Sequence, residues 1–251
     1  MWFPWIQKHM PIVSAANKEP KSTTGSNRQT GVRKHHAASI SKTAVLSATQ
    51  IKQKATSVTV DRNESRLDSI RGYIKISDAA KAFRFDFRHK TVLDIGSSTG
   101  GFTKYALDHG AKKVIAVEKG TNQMLPQLRY DKRIELHEKT DIFDFALDYA
   151  PDAIVADISF LSLTKVLHYA KHHLSDTHTE FLVMLKPQFE AKPNQLLNGV
   201  IKNSKIRREI ITGFEQWLKK NGFLIVNKRD NQLKGKNGNI ERFYWLKQTA
   251  D

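Results

Sequence analysis

The chain has 251 residues, a formal net charge of +16 and no cysteine, which excludes disulfides, thiolate metal sites, iron–sulfur clusters and any thiol nucleophile. Its length suits one principal α/β core with an appendage better than two full domains. A content of 39% hydrophobic and 26% charged residues is that of a globular protein, no window reaches the roughly 18 apolar residues of a membrane span, and the charge excess predicts a polyanionic partner.

The opening "MWFPWIQKHMPIV" is broken by prolines, lysine and histidine and has no small-residue cleavage site, so a cytoplasmic protein is expected. Residues 1–60 carry nine Lys or Arg against the single acid Glu19. Their Ser, Thr, Ala, Gln and Lys content offers little to bury, and they read as a basic, flexible N-terminal arm that orders on RNA or as a solubilising tail. Residues 61–251 then hold the folded domain. "SRLDSIRGYIKISDAAKAF" spaces Leu67, Ile70, Ile74, Ala79 and Phe83 at near-helical intervals, with an interruption expected at Gly72.

Strands and helices alternate from there: strands at 91–95, 113–118, 133–138, 153–157, 181–186, 223–228 and 241–247, with helices near 101–109, 121–129, 162–174 and 203–220. Such alternation predicts a mostly parallel seven-stranded sheet with helices on both faces, a Rossmann-like fold. The last two strands are joined by the polar loop "RDNQLKGKNGNI" and are expected to pair as an antiparallel hairpin, leaving the last strand antiparallel. One reversed strand of seven is the arrangement of methyltransferases rather than of dinucleotide-dependent dehydrogenases.

The first strand runs into "LDIGSSTGGFT", where Gly96, Gly100 and Gly101 permit a tight turn at the carboxyl edge of the sheet, a place for a ligand. Their spacing is not the G-x-G-x-x-G of a pyrophosphate cradle. Asp94, two residues earlier, repels added negative charge and suits a cationic ligand. S-adenosyl-L-methionine, with its sulfonium and ammonium, is such a ligand. Asp94, Gly96, Ser97, Ser98, Gly100, Gly101 and Phe102 are the predicted cofactor loop. Glu118, ending the second strand, is placed to accept ribose hydroxyls; Asp141, after the third, meets the adenine amino group or caps a helix.

Asp157, Lys186 and Glu241 stand at three further strand ends, and Lys75 lies on the leading helix. A lysine ending an apolar strand is costly unless paired, and Asp157 is the expected partner of Lys186, in a reactive or a purely structural pair. "GYIK", "LDIGSSTGGFT", "VADISFLSL", "LKPQFE" and "GNIERFYWL", in this order over about residues 65–248, resemble the TlyA-type (haemolysin A-like) ribosomal RNA methyltransferases, relatives of the FtsJ-type 2′-O-methyltransferases. That resemblance implies a Lys-Asp-Lys-Glu catalytic set at Lys75, Asp157, Lys186 and Glu241, with Asp157 also near the cofactor. It implies ribosomal RNA or ribosomal subunits as partner. Usual members begin with an S4-type RNA-binding domain, which residues 1–60 do not resemble.

A ribose 2′-hydroxyl is almost fully protonated at neutral pH, so a base must take its proton as it attacks the methyl carbon. Lys186 is the expected base, with Asp157 orienting it and Glu241 holding Lys75 or the ribose. The rival readings are base methylation, of which the cysteine-dependent form is excluded, a non-catalytic ribosome-assembly factor on the same fold, and a membrane-active toxin. The last lacks a spanning or strongly amphipathic segment. His168 and His172, one helical turn apart, have no evident third ligand and no metal is expected. "FYWL" reads as core, and Lys234 and Lys236 as a mobile loop gripping phosphates.

Overall fold

The computed structural model describes the backbone of residues 48–249 and the side chains of residues 63–249. In chain order the elements are α1 (Ala48–Phe83), β1 (Thr91–Ile95), α2 (Gly101–Asp108), β2 (Lys113–Glu118), α3 (Pro126–Arg129), β3 (Ile134–Glu138), β4 (Ala153–Ala156), α4 (Leu163–His173), β5 (Glu180–Leu185), α5 (Pro187–Glu190), α6 (Ser204–Lys220), β6 (Phe223–Asp230) and β7 (Arg242–Gln248). The strands form one sheet in the order β3-β2-β1-β4-β5-β7-β6. Strands β1 to β5 are parallel, and β7 runs antiparallel to both β5 and β6. The expected hairpin forms, with β7 inserted between β5 and β6 so that β6 is the edge strand.

Strands β1 and β4 are buried along their whole length, as central parallel strands covered on both faces must be, whereas the edge strand β3 is half-buried. Alternate residues feed two cores. Leu93, Ile115, Ile154 and Val183 pack against Val166 of α4 and Phe214 and Leu218 of α6. Val92, Val114, Val155 and Leu182 pack on the opposite face with Ile76, Ala79 and Phe83 of α1 and Phe102 and Tyr105 of α2. Phe243 and Tyr244 of "FYWL" are fully buried on opposite faces, the core role expected of them.

Helix α1 differs from its expectation in two ways. It runs unbroken through Gly72, and among the described residues it extends back to Ala48, so residues 48–60 belong to this helix; the rest of the arm, residues 1–47, lies outside the described residues. Its inward face matches the apolar stripe read from the sequence only in the second half, where Ala79 and Phe83 are buried; Leu67, Ile70 and Ile74 are exposed while Ser69 and Ile76 are buried. The cause is the crossing with α2. A Cβ on Gly101 would lie 2.7 Å from the Ser69 carbonyl oxygen, 2.9 Å from the Tyr73 amide nitrogen and 3.0 Å from the Gly72 Cα. The crowded position is Gly101: a Cβ on Gly72 would meet only ordinary contacts, the nearest the Gly101 Cα at 3.4 Å, and Gly72 lies inside an unbroken helix rather than at a break. The helix ends where Arg84 takes φ +56 and the Phe85 amide donates back to the Ala80 carbonyl at 2.9 Å, a left-handed stop.

Because every atom crowding that position is backbone, Gly101→Ala is expected to cost about 1–3 kcal/mol of stability. Urea unfolding of the variant beside the wild type measures it, and unchanged stability would show that α1 is free to lift from α2.

Candidate functional site

The parallel strands end along one rim, where a cavity of about 1000 Å³ is lined by the glycine loop, Glu118, Asp141 and all four residues Lys75, Asp157, Lys186 and Glu241. Two ion pairs stand in it. Lys75 Nζ lies 2.6 Å from Glu241 Oε2, with both residues buried; the solvated lysine that is the default on a leading helix is thus turned inward. Lys186 Nζ lies 2.7 Å from Asp157 Oδ1 and donates to Ser159 Oγ at 2.7 Å. Lys75 reaches the site because the Gly72–Gly101 crossing draws α1 onto the start of α2.

The glycine loop is shaped by internal packing. Gly96 takes φ +78, and a Cβ there would stand 3.1 Å from the Asp157 carbonyl oxygen; Gly100 takes φ +89, and a Cβ there would meet Leu128 at 2.5 Å. The glycines therefore bring β1 close to the loop after β4 and close the turn into α2. Phe102 is buried and stacks on Phe243.

Asp94 is fully buried beneath this loop and does not line the cavity, so it does not present an open face to a ligand as the sequence suggested. Its Oδ2 accepts from Thr103 Oγ1 at 2.6 Å, while Oδ1, like the buried Ser97 Oγ, has no hydrogen-bond partner among the described residues. Burial pushes the Asp94 carboxyl up to about 7, the Thr103 hydrogen bond opposes the rise, and Asp157 and Glu118 add repulsion. Glu118 Oε2 accepts the Ser98 amide at 3.0 Å and Oε1 the Gly120 amide at 2.7 Å, which fixes the carboxylate with lone pairs left for hydroxyl donors. Asp141 is a cap: its side chain accepts the Phe143 amide at 3.2 Å and pairs with Lys119 at 2.8 Å, and the Lys119 bond holds its carboxyl below the usual range. The cap forms, and Asp141 also lines the cavity.

Glu118 and Asp157 on the cavity wall, with the buried Asp94 behind the glycine loop, fit a cationic ligand such as a sulfonium carrying an amino-acid tail. Two residues escaped the sequence reading. Phe160 is 88% exposed at the mouth with φ +65 and lies 5.1 Å from the Phe189 ring; nothing in "DISFLSL" signals a positive φ. Glu190 accepts from Ser162 Oγ and the Leu163 amide, both at 2.7 Å. Its clue was its place at the end of "LKPQFE". Lys234 and Lys236 are tied down rather than loose: Arg71 donates to the Lys234 carbonyl at 2.8 Å, and Lys236 pairs with Asp68 at 2.7 Å. The His168 and His172 rings are 4.6 Å apart, and among the described residues no group of three ligands is placed to hold a metal.

The family model for FtsJ-like methyltransferases matches residues 69–248. The chain belongs to the FtsJ-like methyltransferase family. It is 36% identical over 177 residues to the 23S rRNA (cytidine-2′-O)-methyltransferase TlyA of Campylobacter jejuni, covering 70% of this chain and 69% of that protein. It is 32% identical over 212 residues to the 16S/23S rRNA (cytidine-2′-O)-methyltransferase TlyA of Mycobacterium tuberculosis, covering 83% and 78%. A solved structure of a hemolysin-named protein from Lactococcus lactis superposes with a TM-score of 0.67 at 34% identity, over 70% of this chain and 86% of that one. The methyltransferase fold and the TlyA-type resemblance read from the sequence are thereby shown.

The Asp94 charge gives the site a pH signature. Between the carboxyl's ordinary value of 3.8 and its folded value of about 7, the native protein keeps a proton that the unfolded chain has released, so this group's contribution to stability falls as pH rises through that window. Asp94→Asn has no such proton. Its stability relative to wild type should climb from about pH 4 to about pH 7 and level off above; urea unfolding at several pH values measures this, and a difference independent of pH would mean that Asp94 is not held in its neutral form.

Proposed function

We propose that this protein transfers a methyl group from S-adenosyl-L-methionine to a ribose 2′-hydroxyl of ribosomal RNA. The observation that carries the reading is the convergence of the Lys75–Glu241 and Lys186–Asp157 pairs on the cavity that the glycine loop borders, in a chain whose relatives are named as ribosomal RNA 2′-O-methyltransferases. S-adenosyl-L-methionine supplies an activated methyl group when bound; Glu118 and the glycine loop are the residues that would hold it, with Asp94 acting from beneath.

The rest is the work of four side chains. Lys186 takes the 2′-hydroxyl proton at Nζ as the oxygen attacks, and Asp157 and Ser159 direct that nitrogen. The proton then sits on an ammonium beside a carboxylate, which favours its formation. Lys75, held by Glu241, donates to the ribose and fixes its orientation. Phe160, standing out at the mouth, is shaped to stack on a base of the substrate. Residues 1–60, whose nine cations face a single acid, add sequence-independent affinity for phosphates. Among the described residues no helix is long and apolar enough to cross a membrane.

Lys186→Ala is expected to lower methyl transfer by at least about 100-fold, the lower range of what a positioned base contributes, while calorimetry still detects S-adenosyl-L-methionine binding. Near-native transfer by that variant would contradict the assignment. A wild-type protein giving no binding heat would favour the ribosome-assembly alternative.

A further inference from the structure

The segments carrying Asp157 and Lys186 are joined by more than their ion pair. Helix α4 starts behind Ser162, a residue type that commonly caps its own helix, yet the Ser162 side chain makes no capping bond. Its hydroxyl instead donates to Glu190 Oε2, and the Leu163 amide, the first of the helix, donates to Glu190 Oε1, each at 2.7 Å. A carboxylate 27 residues further along the chain thus closes the positive end of α4, where a negative charge is favoured.

Glu190 also ends the turn that Lys186 begins, because α5 spans Pro187–Glu190 directly after it. The loop 157–163 is therefore gripped twice by a single turn. Lys186 holds Asp157 and Ser159 at one end, and Glu190 holds Ser162 and Leu163 at the other. Between the grips Phe160 takes φ +65, a conformation a bulky residue keeps only where its surroundings impose it.

We propose that Glu190 is a positioning residue for methyl transfer: by closing α4 from the Lys186 turn, it fixes the 157–162 loop so that Asp157 and Ser159 aim Lys186 Nζ at the acceptor oxygen. The inference rests on the reading of Lys186 as the base. Ion pairing alone leaves the far end of the loop free to shift, and an error of about 1 Å at a reacting group is enough to slow a reaction on the order of 100-fold.

The test compares Glu190→Ala, Glu190→Gln, Lys186→Ala and Asn203→Ala in full-length protein. Asn203 caps α6 through the Lys205 amide at 2.8 Å and does not line the cavity, so its loss is a control for a missing cap alone. Glu190→Ala should lower kcat for RNA methylation by roughly 10- to 100-fold, with KM for S-adenosyl-L-methionine within about threefold of wild type. Glu190→Gln, which still offers an acceptor to Leu163 and a polar partner to Ser162, should recover most of that loss. Asn203→Ala should lower Tm with kcat unchanged. Should the alanine variant not fold, Glu190→Asp, too short to reach both donors, is expected to show the same fall in kcat. A Glu190→Ala protein that loses Tm but keeps kcat would reduce Glu190 to a helix cap, and a Glu190→Gln protein as slow as the alanine variant would show that charge rather than position is required; either overturns the proposal. Lys186→Ala inactive with Glu190→Ala active removes this inference only, whereas an active Lys186→Ala removes the catalytic reading beneath it.

Discussion

Two lysine ammonium groups shielded from bulk water must each keep a carboxylate at contact distance, and the site is organised around that requirement. Removing one partner of the buried Lys75–Glu241 pair leaves an uncompensated charge at a cost of about 3–5 kcal/mol. Each pair therefore pins two segments distant in sequence. Lys75 and Glu241 join α1 to the start of β7, and Lys186 and Asp157 join the ends of β5 and β4. The first pair is reached because α1 lies so close to the start of α2 that a Cβ on Gly101 would run into the α1 backbone.

The electrostatics divide in a way that matches the two substrates of the proposed reaction. The chain as a whole carries +16, a field that draws in a polyanion. The inner end of the cavity has the opposite character: Asp157 and Glu118 on its wall repel Asp94, buried beneath the glycine loop, and add to the upward shift that burial gives the Asp94 carboxyl. A sulfonium with an amino-acid tail relieves that repulsion, whereas a phosphate-bearing ligand would increase it. Attraction of RNA to the exterior and of a cation to the interior thus come from charges of opposite sign only a few residues apart, as at Glu118 and Lys119.

Much of this was legible in the sequence. The apolar runs "TVLDI" and "AIVA" read as buried strands because parallel strands are covered on both faces, and a charged residue ending such a run has to be paired. That reasoning was enough to bring Asp157 and Lys186 together. What was not legible depends on distances between elements. Gly72 looked like a helix break because a glycine's local cost is visible in a sequence, while the packing that keeps α1 helical through it is not. Asp94 looked like a ligand contact because two residues of separation do not reveal that the loop folds over it. Asp141 had two readings in the sequence; the cap onto the Phe143 amide forms, and the same residue lines the cavity. Glu190 was invisible as a cap since helix-start rules look three residues ahead, and this carboxylate arrives from another motif.

The most direct measurement is mass-spectrometric mapping of ribose methylation in ribosomal RNA from cells with and without the gene. A 2′-O-methyl mark that disappears with the gene, and returns with the wild-type protein but not with Lys186→Ala, is the predicted result. An unchanged map would contradict ribosomal RNA as the substrate, and a mark restored by Lys186→Ala would contradict the paired-lysine chemistry.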